Sequence, residues 1–300
     1  MCIRDRVWTN RPVWPQGVKM PEPNSSLKPK SLDWNLWLGP ASAKEYTPNI
    51  HPFNWRGWWE YGTGALGDVG CHLIDIPFRT LNLKYPKSAE CSVGSVFTKM
   101  WNPDYHPEGC PPSSLITLNF SATEKSKSPI ELTWTDGGIR PPHPDIIPAN
   151  SDIGGEDSLN GVLMIGDKGI ISTNINDSSP LMPKLYLYNG ETDFGPEVEE
   201  MIEPEYGHQR KWVDACKAGF NSKEHLGLTS SFDYAGPMTE TVLMGNLAIR
   251  SYMLRKEKNG GGFDFYARKK LLWDGENMKI TNIEAANQFV TRKYREGWKV

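Results

Sequence analysis

The sequence predicts an α+β fold: an open, mainly antiparallel sheet with helices packed on one face. Short segments that alternate apolar and polar residues are grouped in the middle of the chain, and helical patterns lie before and after them. This alternation is typical of strands that are buried on one side only. Charged residues make up 23% and apolar residues 38% of the 300 residues, which is ordinary for a globular protein.

Periodicity and turn signals predict the individual elements. Apolar spacing of three and four residues predicts helices over 66–82, 208–218, 238–254 and 283–295. Strands are predicted at 7–9, 93–98, 115–120, 130–135, 162–165, 170–173 and 185–188. Pro237 is expected in the first turn of its helix, and residues 166–169 are expected to form a hairpin turn. Residues 11–55, rich in Pro and Trp, are predicted to be a long ordered loop.

Composition and spacing also exclude several classes of protein. The net charge is −3 with mixed signs, so we expect no nucleic-acid surface, and no apolar stretch reaches the roughly 18 residues of a membrane span. Five widely spaced cysteines argue against a disulfide framework and a zinc site, and the scattered histidines predict no metal site. The compartment, cytoplasmic or periplasmic, stays open.

The first residues, MCIRDR, are typical of neither a signal peptide nor a helix start. We therefore expect residues 1–6 to be a non-native leader and residues 7–300 to form the domain.

The string GTGALG at 62–67 satisfies the G-x-G-x-x-G pattern of dinucleotide-binding turns and precedes a predicted helix. The segment before it is rich in Trp and charged residues, unlike a buried parallel strand. Neither an acidic residue at a second strand end nor further βαβ units follow. The sequence therefore favours a tight turn into the helix over a dinucleotide site.

Asp68, His72 and Asp75 carry the chemistry that the sequence suggests. Their spacing of four and then three residues places them on one face of the predicted helix, with Asp68 at its start. A histidine at this position suits a general acid/base for a substrate hydroxyl, oriented by one acid, while the other acid binds a second hydroxyl. The same spacing also fits a first-turn acid at Asp68 and a core histidine paired with a neighbouring acid.

The string GTGALGDVGCHLID resembles the signature of the Gfo/Idh/MocA oxidoreductases, which include glucose–fructose oxidoreductase and inositol dehydrogenase. The segments VWTNRPVWPQG, HPFNWRGWWEYGTGALGD and SSFDYAGPMTETVLMGNLAIR resemble a bacterial subgroup of that family, from about residue 7 onward. The resemblance implies the family's C-terminal domain, with Asp68 and His72 as the catalytic pair. It implies a sugar, inositol or related polyol as substrate.

In that family an N-terminal Rossmann domain binds NAD or NADP, and a Glu-Lys-Pro motif supplies a lysine to the catalytic group. This sequence contains neither a dinucleotide fingerprint in context nor that motif. We therefore expect the dinucleotide-binding domain to be missing and the isolated chain to be inactive, with NAD or NADP bound mainly by the missing domain.

Further candidates lie close to these motifs. The predicted substrate-binding residues, besides Asp75, are Arg56, Trp58, Trp59 and His208. The residues that the resemblance places near the nicotinamide are Asn10, Arg11 and Trp14. The alternatives are an arginine–acid pair, core tryptophans and a solvent-facing histidine at a helix start.

Two other functions stay open at this stage. One is an NAD-dependent glycosidase of the same family, which would yield a free sugar without net cofactor change. The other is a non-catalytic role as a carbohydrate-binding or assembly subunit. By resemblance, we also expect a homo-oligomer that associates through the open sheet.

Overall fold

A computed structural model describes residues 2–154, 159–173, 183–191 and 206–298. The helices in these ranges are α1 (Trp34–Leu38), α2 (Gly64–Leu73), α3 (Asp75–Thr80), α4 (Gly207–Ala218), α5 (Lys223–Leu226) and α6 (Phe232–Tyr252). The strands are β1 (Cys2–Thr9), β2 (Ser88–Val93), β3 (Ser114–Phe120), β4 (Ile130–Thr135), β5 (Asn160–Gly166), β6 (Gly169–Thr173), β7 (Lys184–Leu187), β8 (Lys256–Glu257), β9 (Phe263–Asp264), β10 (Leu271–Asp274) and β11 (Lys279–Ile280).

Nine of these strands form one open sheet in the order β11-β10-β2-β3-β4-β1-β5-β6-β7. β1 lies in the middle, parallel to β4 and antiparallel to β5. The other neighbouring pairs in the sheet are antiparallel. The predicted α+β fold with a mainly antiparallel open sheet is therefore confirmed.

Alternation along the strands determines which face of the sheet is buried. In β3, Ile116, Leu118 and Phe120 are buried, whereas the residues between them are exposed or half-buried. β4 pairs with β3 and buries Leu132 and Trp134 in register with these residues. The inner face of both strands thus joins the main hydrophobic core.

Helices α2 and α6 cover this inner face and approach each other closely at a glycine. A Cβ atom on Gly245 of α6 would lie 2.6 Å from the side chain of Leu66 of α2. The missing side chain lets the two helices pack against each other, with α6 over β2 and β3 and α2 over β1. The packing holds α2, which carries the predicted acid/base residues, above the middle of the sheet.

The opposite face of the sheet is covered around β1, β5 and β6. Trp8, Leu163 and Ile170 are buried there against Ile147 and Ile153 of the preceding loop. None of the helices in the described ranges is both long and apolar enough to cross a lipid bilayer.

The N-terminal part of the chain follows the prediction in outline. Residues 11–55 form an ordered loop with α1 and two short 3₁₀ helices, Ser25–Leu27 and Asn54–Gly57. Trp34 and Trp37 stack with ring centroids 4.5 Å apart, and Tyr46 packs edge-on against Trp34. Aromatic packing therefore orders a segment that has little regular secondary structure.

The leader prediction for residues 1–6 stays a prediction. Residues 2–6 belong to β1, and Asp5 is fully buried between Leu132 of β4 and Met164 of β5. Neither carboxylate oxygen of Asp5 has a hydrogen-bond partner in the described part of the chain. Burial raises the pKa of this carboxyl to about 7, against a smaller opposing effect of the Ile165 backbone.

Four predicted elements were wrong in extent. The strand predicted at 93–98 lies earlier, at Ser88–Val93, and the helix predicted at 283–295 is a 3₁₀ helix over Glu284–Phe289. The helix predicted from residue 238 begins at Phe232, so Pro237 lies inside α6 and not in its first turn. The helix predicted over 66–82 is divided into α2 and α3.

Candidate functional site

The backbone of the glycine-rich turn at 62–67 packs closely against other parts of the protein. A Cβ atom on Gly62 would lie 2.6 Å from the Arg56 backbone, and one on Gly64, where φ is +64°, would lie 2.9 Å from the Cys110 sulfur. The glycines therefore permit close backbone packing and a left-handed residue at the helix start.

An amide in the first turn of α2 is also occupied. The Ala65 N–H donates to Gln16 Oε1 at 3.1 Å, and the same oxygen accepts the indole N–H of Trp14 at 2.9 Å. A pyrophosphate would need such amides at the helix start to be free. The turn does not fit a dinucleotide, in agreement with the preference drawn from the sequence.

Asp68 lies in the second turn of α2 and forms an ion pair. The Arg56 Nε atom donates to Asp68 Oδ1 at 2.9 Å, and both side chains are partly exposed. The Arg56 guanidinium lies 4.6 Å from the ring centroid of Trp55, 4.7 Å from that of Phe53 and 5.7 Å from that of Trp14. These aromatic contacts fix the arginine, which in turn fixes the carboxylate.

This arrangement corrects two expectations about Asp68. Because α2 begins at Gly64, Asp68 is not a first-turn acid at the helix start. The structure gives it Arg56 as partner, and it makes no hydrogen bond or ion pair with His72 within the described residues. The orienting role predicted for Asp68 towards the imidazole is therefore absent from this conformation.

His72 is exposed, one turn after Asp68 on the same side of α2. Its imidazole makes no hydrogen bond or ion pair with any residue that the structure describes. The alternative of a core histidine paired with an acid therefore does not apply. An accessible imidazole with both ring nitrogens open can exchange a proton with a ligand.

Asp75 lies at the start of α3, after the single residue Ile74, whose backbone is still helical (φ −69°, ψ −25°). Helix α2 ends at Leu73 and α3 starts at Asp75, two residues before Pro77, which has no amide to continue the α2 hydrogen-bond pattern. The Tyr234 hydroxyl donates to Asp75 Oδ1, and Arg79 lies 3.7 Å from the same oxygen.

The contacts of Tyr234 and Arg79 make one polar cluster. Arg79 lies over the Tyr234 ring at 4.0 Å and donates to the Thr229 carbonyl oxygen at 2.9 Å. Burial, followed by the hydrogen bond to Asp75, raises the pKa of the Tyr234 hydroxyl. Tyr234 therefore remains a protonated donor that holds the carboxylate of Asp75 in place.

A cavity of about 530 Å³ lies beside this cluster. It is lined by Gly67, Cys71 and Asp75 on one side and by His208 and Tyr234 on others. The structure thus brings together the predicted residues Asp75 and His208, although 133 positions separate them in the sequence. Its volume is in the range of pockets that bind small molecules.

Cys71 faces the same cavity, on the turn between Gly67 and Asp75. Burial and the charge of Asp68 raise the pKa of its thiol. The thiol is therefore protonated near neutral pH, which disfavours a role as a thiolate nucleophile.

The remaining predicted residues divide into accessible and buried groups. Trp58 is only 2% exposed, so the structure gives no open ring face for a sugar, which corrects its predicted role. Trp59 is half-buried and lines a different cavity, beside α6. Trp14 is buried but contacts Arg56, whereas Asn10 and Arg11 lie half-buried after β1.

Sequence reasoning missed Tyr234 and Arg79. Arg79 was within reach, because it follows Asp75 by four residues and such pairs meet on a helix. Tyr234 is 159 residues from Asp75, and the only signal for it was its presence in the family-like string SSFDYAGP.

A family model for the C-terminal alpha/beta domain of the Gfo/Idh/MocA oxidoreductase family matches residues 13–91. This segment includes Arg56, Asp68, His72 and Asp75. The match supports a C-terminal domain of that oxidoreductase family over these residues. The open, mostly antiparallel sheet and its helices agree with such a domain. No curated protein matches the chain.

Proposed function

We propose that this chain is the substrate-binding half of an NAD(P)-dependent oxidoreductase that transfers hydride to or from a sugar, inositol or related polyol. The observation that carries the proposal is the exposed side of α2, where the unpartnered imidazole of His72 follows the fixed carboxylate of Asp68. The family match supports the reaction class. The cavity beside α2 and α3, which Asp75 and His208 line and which Asp68 and His72 do not, offers polar groups to a small hydroxylated substrate.

In this proposal His72 is the general acid/base. When the substrate is oxidised, an imidazole nitrogen takes the hydroxyl proton, and it returns the proton when a carbonyl is reduced. Asp68, held by Arg56, accepts a hydrogen bond from a substrate hydroxyl. Asp75 and His208 bind further hydroxyl groups in the adjoining cavity.

The nicotinamide supplies or accepts the hydride in such a reaction. The glycine-rich turn of this chain does not fit the pyrophosphate of a dinucleotide, because Gln16 accepts the hydrogen bond of the Ala65 amide in the first turn of α2. The proposal therefore assigns NAD or NADP mainly to a separate dinucleotide-binding domain. Trp14, which packs on Arg56, and the neighbouring Asn10 and Arg11 remain candidates for contacts with the nicotinamide.

The experiment measures polyol oxidation by the enzyme with its dinucleotide-binding domain present, for wild type and His72→Ala. Loss of the acid/base group should lower kcat/KM about 10²–10⁴-fold. His143→Ala, which changes an exposed histidine elsewhere, is the matched control and should retain activity. Full activity of His72→Ala would exclude the proposed role.

Product analysis distinguishes the second enzymatic function. A ketose or lactone with stoichiometric reduction of the cofactor supports the oxidoreductase. Release of a free sugar from a glycoside without net change of the cofactor would instead support the glycosidase.

A further inference from the structure

A second cavity, of about 410 Å³, adjoins the cavity beside Asp75, and Thr63 lines both of them. It is bounded by the exposed side of α6, the segment around Trp59 and the C-terminal region near Phe289. Its apolar walls are formed by Trp59, Leu243, Met244, Leu247, Trp273 and Phe289. A concave, mostly apolar surface of this size is typical of a small-molecule site.

Arg250 supplies a positive charge to this apolar cavity. Its guanidinium lies 4.2 Å from the ring centroid of Phe289 and 5.7 Å from that of Trp59, so two of the walls hold it in place. No carboxylate of the described residues lies within 4 Å of it, whereas Arg56, Arg79 and Arg292 each have one.

Burial of Arg250 without such a partner has a free-energy cost. Burial lowers the pKa of the guanidinium. Electrostatic interactions with Cys110 and Glu60 oppose this shift only in part. Glu60 is engaged elsewhere, by the Ser42 amide and Lys44. A ligand carboxylate would neutralise Arg250 and form charge-assisted hydrogen bonds with it.

One acidic residue lines the same cavity. Glu240 precedes Arg250 by ten residues on α6, which corresponds to about 15 Å along a helix axis. Its Oε1 atom accepts the Trp273 indole N–H at 2.6 Å. At this distance its repulsion of an anion on Arg250 is weak, so the cavity has a cationic end and an anionic end separated by apolar walls.

We propose that this cavity binds a small organic carboxylate with an aromatic or aliphatic body, whose carboxylate pairs with Arg250. The apolar body would lie along Leu247 and the aromatic walls. Two buried polar groups without a partner among the described residues, the Asn246 amide and the Trp59 indole N–H, also line the cavity. The cavity adjoins the one beside Asp75, with which it shares Thr63, Ala235, Thr239 and Leu243, but the proposal does not depend on the proposed function.

Calorimetric titration of the 300-residue chain with 4-phenylbutyrate tests the proposal, with 4-phenylbutan-1-ol as the uncharged analogue. We expect saturable binding at one site per chain and at least about tenfold weaker binding of the alcohol. Arg250→Gln should weaken 4-phenylbutyrate at least about tenfold, and Arg292→Gln, an exposed arginine outside this cavity, should not change it.

Leu243→Trp provides a second variant, because Leu243 lines the cavity and is partly exposed, so the larger ring can fill the space while the fold is retained. It should abolish binding. The comparison of acid and alcohol needs no variant and decides the matter if Arg250→Gln does not fold. Absence of saturable binding, equal binding of acid and alcohol, or equal effects at Arg250 and Arg292 would overturn the proposal.

Discussion

The exposed side of α2 and the centre of the sheet below it both carry acidic residues, but in opposite environments. At the helices, Asp68 of α2 and Asp75 of α3 are partly exposed, and each has an arginine partner. In the sheet, Asp5 and Asp136 are buried, and the pKa values of their carboxyls are raised to about 7 and about 6. An ionised carboxylate therefore destabilises the fold little at the exposed helices and considerably in the buried sheet.

The two buried acids also differ from each other. Asp136 accepts hydrogen bonds from the Ser114 amide at 2.6 Å, the Ser114 hydroxyl at 2.8 Å and the Trp134 indole at 2.9 Å. Among the described residues, no side chain donates to Asp5, and the Ile165 backbone offsets only part of the effect of burial. The difference teaches that burial alone does not determine whether an acid stabilises this fold; the number of donors around it does.

The largest effect is expected for Asp5→Ala. This change removes a buried carboxyl without hydrogen bonds, and we expect it to raise the free energy of unfolding at pH 8 by about 3 kcal/mol. In the wild type the folded-state pKa of Asp5, about 7, lies above the unfolded value, so the fold favours the protonated carboxyl. The free energy of unfolding is therefore highest below pH 4 and falls as the pH rises towards 7 and the buried group ionises.

Urea unfolding of both proteins between pH 4 and pH 8 measures this effect. The variant should show a weaker decline with pH over this range. A variant that is less stable than wild type at pH 8 would show that Asp5 has partners that the structure lacks.

Ser114→Ala is expected to have the next largest effect, with the opposite sign. Loss of one donor to the buried carboxylate should lower the free energy of unfolding by about 1–2 kcal/mol at pH 8. The effect should be smaller at pH 4, where the Asp136 carboxyl is protonated. Ser92→Ala, on the exposed side of β2, is the matched control and should be nearly neutral.

Tyr234→Phe should be milder, because Asp75 keeps Arg79 and water as partners. We expect the free energy of unfolding, measured by thermal unfolding, to fall by about 1 kcal/mol. One hydrogen bond to a carboxylate is removed, and the packing of the ring does not change. Tyr252→Phe alters a half-buried tyrosine that packs on Arg268 and serves for comparison. Equal effects of the two changes would argue against a structural role of the Tyr234 hydroxyl.

The smallest effect on stability is expected for His72→Ala. The side chain is exposed and makes no contact with a polar group of the described chain, so the free energy of unfolding should change by less than about 0.5 kcal/mol. Circular dichroism melts test this. A large destabilisation would show that His72 supports the fold, and it would weaken the comparison between the exposed helix side and the buried sheet.

Local patterns explain why much of the sheet was predictable. β3 and β4 alternate over most of their length, and the turn at 166–169 separates two apolar runs, so each strand is specified largely by its own residues. The strand predicted at 93–98 lies earlier because Ser88–Val93, which has few apolar residues, is held in the sheet by pairing with β3 and β10. The predicted helix at 283–295 is a shorter 3₁₀ helix, although Ile283, Phe289 and Val290 pack against the core.

The candidate site was predictable only in part. A spacing of four residues places Asp68 and His72 on one side of α2, and this follows from helix geometry alone. The partner of Asp68 did not follow, because Arg56 is 12 residues away and is fixed by three aromatic rings. Trp58 and Trp59 are adjacent in sequence, yet only packing decides that one is buried and the other lines a cavity.

By itself, the sequence determined the fold class, most of the strands and the side of α2 that carries the acid/base residues, because these depend on periodicities of two and 3.6 residues. Tertiary structure decided which charges are paired. Asp75 meets Tyr234, and Asp5 becomes an unpaired acid inside the sheet, because these contacts join distant segments whose relative positions are set by packing. Local residue patterns do not encode such positions.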